Sequence, residues 1–142
     1  MRYSLLFLGF ISSCGRAGDA PSPIVRHYAP DIQEAVDAFM ADFPARYSPY
    51  YPTIVWKDLP GNYAGLCWDM LEYTARIELD TAYKGLPAET KWLVYHEMGH
   101  CVLGLGHDKA NRSIMSPSIT PSPEIDWPAQ VAHMKTLKRE YP

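Results

Sequence analysis

Three of the five histidines in this chain of 142 residues fall within twelve residues, at positions 96, 100 and 107. The first two flank a glutamate in the segment His96-Glu97-Met98-Gly99-His100. On a helix, residues four apart differ by about 40° in direction and by about 6 Å along the axis, so both imidazoles can reach one metal ion. Glu97 is turned by about 100° and can lie beside the ion without binding it. The fold must therefore place a helix here, with one face directed at a metal site.

The residues after this helix indicate how a third ligand reaches the same ion. The segment Gly104-Leu105-Gly106-His107 contains two glycines, which let the chain leave the helix and turn back. His107 is then the candidate third ligand, and Asp108 is the nearby substitute. Three histidines, an open position and an adjacent glutamate are the composition of a catalytic zinc site.

Together with Ser113-Ile114-Met115-Ser116-Pro117, these motifs resemble the metzincin clan of zinc metallopeptidases, especially its short lipoprotein-like members from bacteria and phages. The resemblance implies a single zincin-like α+β domain, in which a small mixed sheet packs on the H-E-x-x-H helix, followed by a Met-turn and a C-terminal helix. The implied site has three Zn²⁺ ligands, a general base and a methionine beneath the metal: His96, His100, His107, Glu97 and Met115. The chain departs from the clan pattern in one spacing, because the third histidine follows the second by seven residues rather than six.

By this resemblance the chain is a zinc-dependent endopeptidase acting on a peptide or protein, with Glu97 activating the water held at the metal. Two alternatives remain: an envelope lipoprotein in which zinc only braces the fold, and a hydrolase of peptidoglycan cross-links. A structural zinc site normally closes with four protein ligands and has no use for a base, so Glu97 favours catalysis over bracing. Nothing in the sequence separates a protein substrate from peptidoglycan.

Hydrophobic periodicity and turn residues predict an α+β order of elements. The predicted helices span 31–45, 88–105 and about 126–141, and the predicted strands span 53–59, 64–70 and 75–80. Asp31 and Asp126 are the predicted N-caps of the first and last helices, and Pro87 suits the first turn of the second.

The third strand carries the prediction about substrate binding. Residues 76–80 alternate two apolar side chains, Ile77 and Leu79, with charged ones, as a half-exposed strand does. Such a strand can be a plain edge of the sheet. By the metzincin resemblance, strand 76–80 could instead bind the substrate as an added strand through backbone hydrogen bonds.

The first 30 residues predict export and attachment. Residues 1–14 combine a short basic start, an apolar run and the sequence Ile11-Ser12-Ser13-Cys14, which resembles the lipobox of bacterial lipoproteins. Cys14 is thus the predicted lipidation site, and the protein is expected in the cell envelope, anchored to a membrane. The other interpretation is an ordinary signal peptide and a secreted or periplasmic protein. Residues 15–30 predict a flexible tether, and residues 31–142 the metallopeptidase domain.

Composition and the remaining cysteines add two expectations. A net charge of −3 and a hydrophobic content of 47% fit one domain, expected to be a monomer, with no basic surface for nucleic acid. Cys67 and Cys101 are the thiols left after Cys14, and an exported protein can join them. The sequence leaves this disulfide open, because it does not show whether the Cα atoms approach within about 7 Å.

His133 is predicted at the solvated surface.

Overall fold

A computed structural model describes residues 28–44, 52–68, 75–109, 113–118 and 125–137, which form a small mixed α+β domain. Three helices and three strands follow one another as α1 (Pro30–Asp42), β1 (Thr53–Lys57), β2 (Gly65–Trp68), β3 (Arg76–Asp80), α2 (Pro87–Cys101) and α3 (Trp127–Thr136). The predicted α+β order is confirmed. Within the described ranges, the helices are too short or too polar for any of them to cross a membrane.

Helix α1 begins earlier than the sequence predicted. Pro30 occupies its first turn and Ala29 precedes it, so Asp31 is not the N-cap; its carboxylate accepts a hydrogen bond from the N–H of Ile32 at 3.0 Å. Proline suits this position because its missing N–H has no partner within the helix. The Tyr28 hydroxyl also donates to the carbonyl of Pro52 at 2.8 Å. The folded domain therefore includes residues 28–30, which were predicted to belong to the tether.

The sheet order corrects the expectation for strand 76–80. β3 is the central strand, with β1 parallel to it on one side and β2 antiparallel on the other. Strand 76–80 is therefore not an edge, and its backbone groups are already paired with two neighbours, which leaves no room for an added substrate strand. Among the described residues, β2 is an edge strand of the sheet, and it also contacts α2.

Glu78 also differs from the half-exposed pattern, because its side chain is buried within the outer face of the sheet. The ammonium of Lys57 donates to both carboxylate oxygens, at 3.0 and 2.9 Å, and Arg76 Nε donates to one of them at 2.9 Å. The indole N–H of Trp68 completes the set at 3.3 Å. The hydrogen bonds from Lys57, more than the others, hold the pKa of Glu78 below its usual value.

Helix α2 lies between α1 and the inner face of the sheet. Its residues from Trp92 to Gly99 are all buried, whichever way they point. A helix enclosed on every side belongs to the core, so residues His96 to Gly99 lie within it. Pro87 begins this helix, as predicted.

The ends of α2 and α3 lie before the predicted ones. α2 ends at Cys101 because Gly104 adopts the left-handed conformation, with φ of 65°. Its N–H donates to the carbonyl of His100 at 3.1 Å, which closes the last turn. α3 ends at Thr136, where Leu137 becomes extended. Asp126 caps α3 as predicted, by accepting a hydrogen bond from a backbone N–H in its first turn.

Candidate metal centre

The three predicted histidine ligands converge on one point. His96, His100 and His107 each offer a ring nitrogen, and these atoms all lie within 4.8 Å of one another. The Nε2 atoms of His96 and His100 are 3.1 Å apart. Two nitrogens that bind one tetrahedral zinc at about 2.1 Å lie about 3.4 Å apart, so this spacing fits a single ion. Within the described part of the chain, no cysteine or carboxylate joins the group.

The additional residue between the second and third histidines is absorbed where α2 ends. The helix stops at Cys101, and the left-handed Gly104 reverses the chain before His107. The imidazole of His107 then lies 4.7 Å from the ring of His100 and 5.3 Å from that of His96, measured between centroids. The early helix end thus compensates for the shifted spacing.

Asp108, the alternative ligand, has another partner. Its carboxylate lies 2.6 Å from Nε2 of His133 on α3. His133 is therefore not simply solvated, as the sequence suggested, but connects α3 to the segment that carries His107. The charged residues near His133 in the sequence indicated an exposed surface, and a contact with a residue 25 positions away could not be predicted from them.

Backbone carbonyls fix the orientation of two of the rings. Nδ1 of His96 lies 2.6 Å from the carbonyl oxygen of Ile114, and Nδ1 of His100 lies 2.6 Å from that of Leu105. A carbonyl only accepts, so each Nδ1 donates its proton to the carbonyl, and Nε2 is the ring atom left to bind a cation. The two Nε2 atoms face one another across 3.1 Å, so one cation could bind to both. The residues present therefore fit a bound metal ion.

His96 is held on its other face by a residue that the sequence analysis missed. The indole of Trp92 stacks on its imidazole, with centroids 5.2 Å apart and planes 13° from parallel. Trp92 precedes His96 by four residues, and this helical spacing was the available signal. Burial, chiefly, lowers the pKa of His96 to about 4, so the ring is neutral at pH 7, as a metal ligand must be.

The turn that contains Met115 packs against α2 at Gly99. Met115 is fully buried, and a methyl group added at Gly99 of α2 would lie 2.4 Å from its sulfur. The preceding residue, Ile114, supplies the carbonyl that orients His96, and its N–H donates to the side chain of Gln130 on α3 at 3.0 Å. This turn therefore connects the histidine site to the C-terminal helix.

The side chain of Glu97 extends from α2 towards the edge strand β2. Its side chain is 4% exposed, and burial raises its pKa to about 8. It borders a cleft of about 780 Å³ that the three histidines and β2 also line. On the strand it faces Gly65, where a methyl group would lie 2.4 Å from Oε1 of Glu97. A glycine within a strand often marks such an approach, and the sequence analysis did not use that signal.

Cys67 and Cys101 form a disulfide, with Cα atoms 5.8 Å apart. It joins β2 to the last residue of α2, directly beside His100, and both cysteines line the cleft. Of the two possibilities that the sequence left open, the structure has the bonded one. Cys14, the predicted lipidation site, lies outside the described residues.

Comparisons with known proteins add no relative. No model of a known protein family matches the chain, and neither a curated protein nor a solved structure is significantly similar to it.

Proposed function

We propose that the protein is a zinc-dependent endopeptidase, in which His96, His100 and His107 hold the ion and Glu97 is the general base. One observation carries the proposal: three histidine nitrogens converge in an open cleft that a buried glutamate also lines. Imidazole donors suit zinc, and three protein ligands leave a position for water or substrate. A zinc site that only braces a fold normally has a fourth protein ligand, and the described residues supply none.

Bound zinc would supply a Lewis acid that acidifies water and polarises the peptide carbonyl. The carboxylate of Glu97 would accept a proton from the attacking water and return it to the nitrogen of the leaving amine. The position of Glu97 supports this role, because its side chain lines the same cleft as the three histidines. The carbonyls of Ile114 and Leu105 keep the histidine rings oriented throughout.

The proposal includes where the substrate lies. Among the described residues, β2 is the strand with an unpaired edge on the cleft, and it runs antiparallel to β3. An extended peptide can pair with such an edge through its backbone. We therefore assign substrate pairing to residues 65–68, in place of residues 76–80.

The zincin-like fold and the envelope location belong to the same proposal. The small mixed sheet packed against α2 and the buried Met115 support the zincin-like part of the proposal. Lipidation of Cys14 and the tether would keep cleavage close to a membrane surface. These N-terminal features lie in residues 1–27, outside the described part, and remain predictions.

The test compares the zinc-loaded protein with its Glu97→Gln variant on a diverse peptide mixture, read by mass spectrometry. Zinc content is measured in both by elemental mass spectrometry. We expect cutting by the wild type alone, with equal zinc in both proteins. Equal cutting would remove the role of Glu97, and no cutting by either zinc-loaded protein would overturn the endopeptidase in favour of a zinc-braced protein. Release of fragments from purified peptidoglycan, without cutting of peptides, would replace it by a cross-link hydrolase.

A further inference from the structure

Gly65, the first residue of β2, lies directly against the side chain of Glu97 on α2. A Cβ atom built on Gly65 would be 2.4 Å from Oε1, 2.8 Å from Cγ and 2.9 Å from Cδ of that glutamate. Carbon atoms in ordinary contact are about 3.5–4.0 Å apart. The carboxylate of Glu97 therefore occupies the space that a side chain at position 65 would need.

The backbone gives no other reason for a glycine at this position. Gly61, Gly85 and Gly104 have positive φ angles, which other residues adopt at a cost, but Gly65 is not among them. Its backbone is that of an ordinary strand residue, paired opposite Leu79 of β3. Glycine weakens a strand compared with alanine, so its presence here is explained by the close approach of another group.

The strand is less free to move than the carboxylate. β2 is fixed on one side by its pairing with β3, and the disulfide of Cys67, two residues beyond Gly65, joins it to α2. The three contacting atoms, in contrast, belong to the flexible end of the Glu97 side chain. An added methyl group would therefore displace the carboxylate and leave the fold in place.

We infer that Gly65 is a positioning residue of the proposed peptidase, on which the inference rests: its missing side chain forms the slot that holds the Glu97 carboxylate at the cleft. A general base must lie within hydrogen-bond reach of the proton that it takes, and a displacement of about 1 Å can cost about 100-fold in rate.

The first experiment is kinetic and uses the zinc-loaded protein. For Gly65→Ala we expect kcat to fall by about 100-fold, whereas KM and zinc content stay close to those of the wild type. A Gly65→Ala variant that cuts at the wild-type rate would overturn the inference and leave the proposed function intact.

The second experiment does not depend on activity. Thermal unfolding of the metal-free proteins is compared for wild type, Gly65→Ala, Glu97→Ala and the double variant. We expect Gly65→Ala to lower the midpoint when Glu97 is present, and to leave it unchanged or raise it when position 97 is alanine, because the new methyl group then fills vacated space. Gly61→Ala is the matched control: its φ of 71° makes alanine unfavourable, but nothing lies within 4 Å of the added atom. It should lower the midpoint equally in both backgrounds.

The two experiments distinguish an error in the inference about Gly65 from an error in the proposed function. An additive effect of Gly65→Ala, the same with and without the Glu97 side chain, would overturn the inference whatever the activity. Strong coupling in a protein that cuts no peptide would overturn the proposed function and keep the slot as a feature of the fold.

Discussion

Removing the Cys67–Cys101 disulfide should lower the free energy of unfolding by about 4 kcal/mol. The two cysteines are separated by 34 residues, and closing a loop of that length in the unfolded chain costs about 3.8 kcal/mol of conformational entropy at 25 °C. Single domains are stable by about 5–15 kcal/mol in total, so this crosslink provides a large share. The double variant Cys67→Ala/Cys101→Ala removes it without leaving two thiols in the cleft.

The assay is urea denaturation followed by far-UV circular dichroism, with a chelator present throughout so that metal binding does not contribute. We expect a lower midpoint and a steeper dependence on urea, since the uncrosslinked chain exposes more surface when it unfolds. Wild-type protein with its disulfide reduced is the matched control and should unfold like the variant. A loss below about 1 kcal/mol would refute the loop-entropy reasoning, because the unfolded chain would then gain far less freedom from losing the crosslink than its length implies.

Three further predictions concern the contact between Gly99 and Met115, the bound ion and the outer face of the sheet. Gly99→Ala should destabilise the fold by about 1–3 kcal/mol in urea denaturation, because the new methyl group collides with buried Met115; an unchanged midpoint would show that the turn yields. Zinc at about 100 times its Kd should add about 2.7 kcal/mol to wild-type stability, measured as the shift in thermal midpoint on chelation, and His107→Ala should lose most of that shift. The lowered pKa of Glu78 stabilises the folded protein above the usual pKa of 4.5, and this stabilisation is lost as the pH falls through the folded-state pKa. In urea denaturation, the free energy of unfolding of the wild type should therefore exceed that of Glu78→Gln by less as the pH falls below about 4.5. A difference that stays constant with pH would contradict the role of Lys57.

Local geometry explains why much of the site could be predicted from the sequence. The four-residue spacing of His96 and His100 fixes their relation on any helix, and the glycines at 104 and 106 indicate that the chain can turn back after it. The return of His107 could be expected but not constructed, because the additional residue is absorbed by an earlier helix end and by hydrogen bonds to the carbonyls of Gly99 and His100. Those bonds depend on how the whole segment packs.

The sheet could not be ordered from its strands alone. Alternation in residues 76–80 correctly gave the two core side chains, yet the same pattern fits a central strand and an edge. Glu78 was expected to be exposed because it is charged, whereas Lys57 from a neighbouring strand makes its burial tolerable. Strand order and the partners of a buried charge are both long-range properties, which a pattern within one strand does not contain.

The support of the histidines connects the site to the rest of the fold. The acceptors of the Nδ1 protons are carbonyls of Ile114 and Leu105, which lie outside α2, and the segment of Ile114 is in turn held by Gln130 of α3. An ion bound at the Nε2 atoms would strengthen these hydrogen bonds, because it withdraws electron density from each ring and makes Nδ1–H a better donor. Metal binding would therefore be expected to stabilise the helix end, the methionine turn and α3 together. In the proposed enzyme, the ion that serves the chemistry would then also add to the stability of the segments on one side of the cleft.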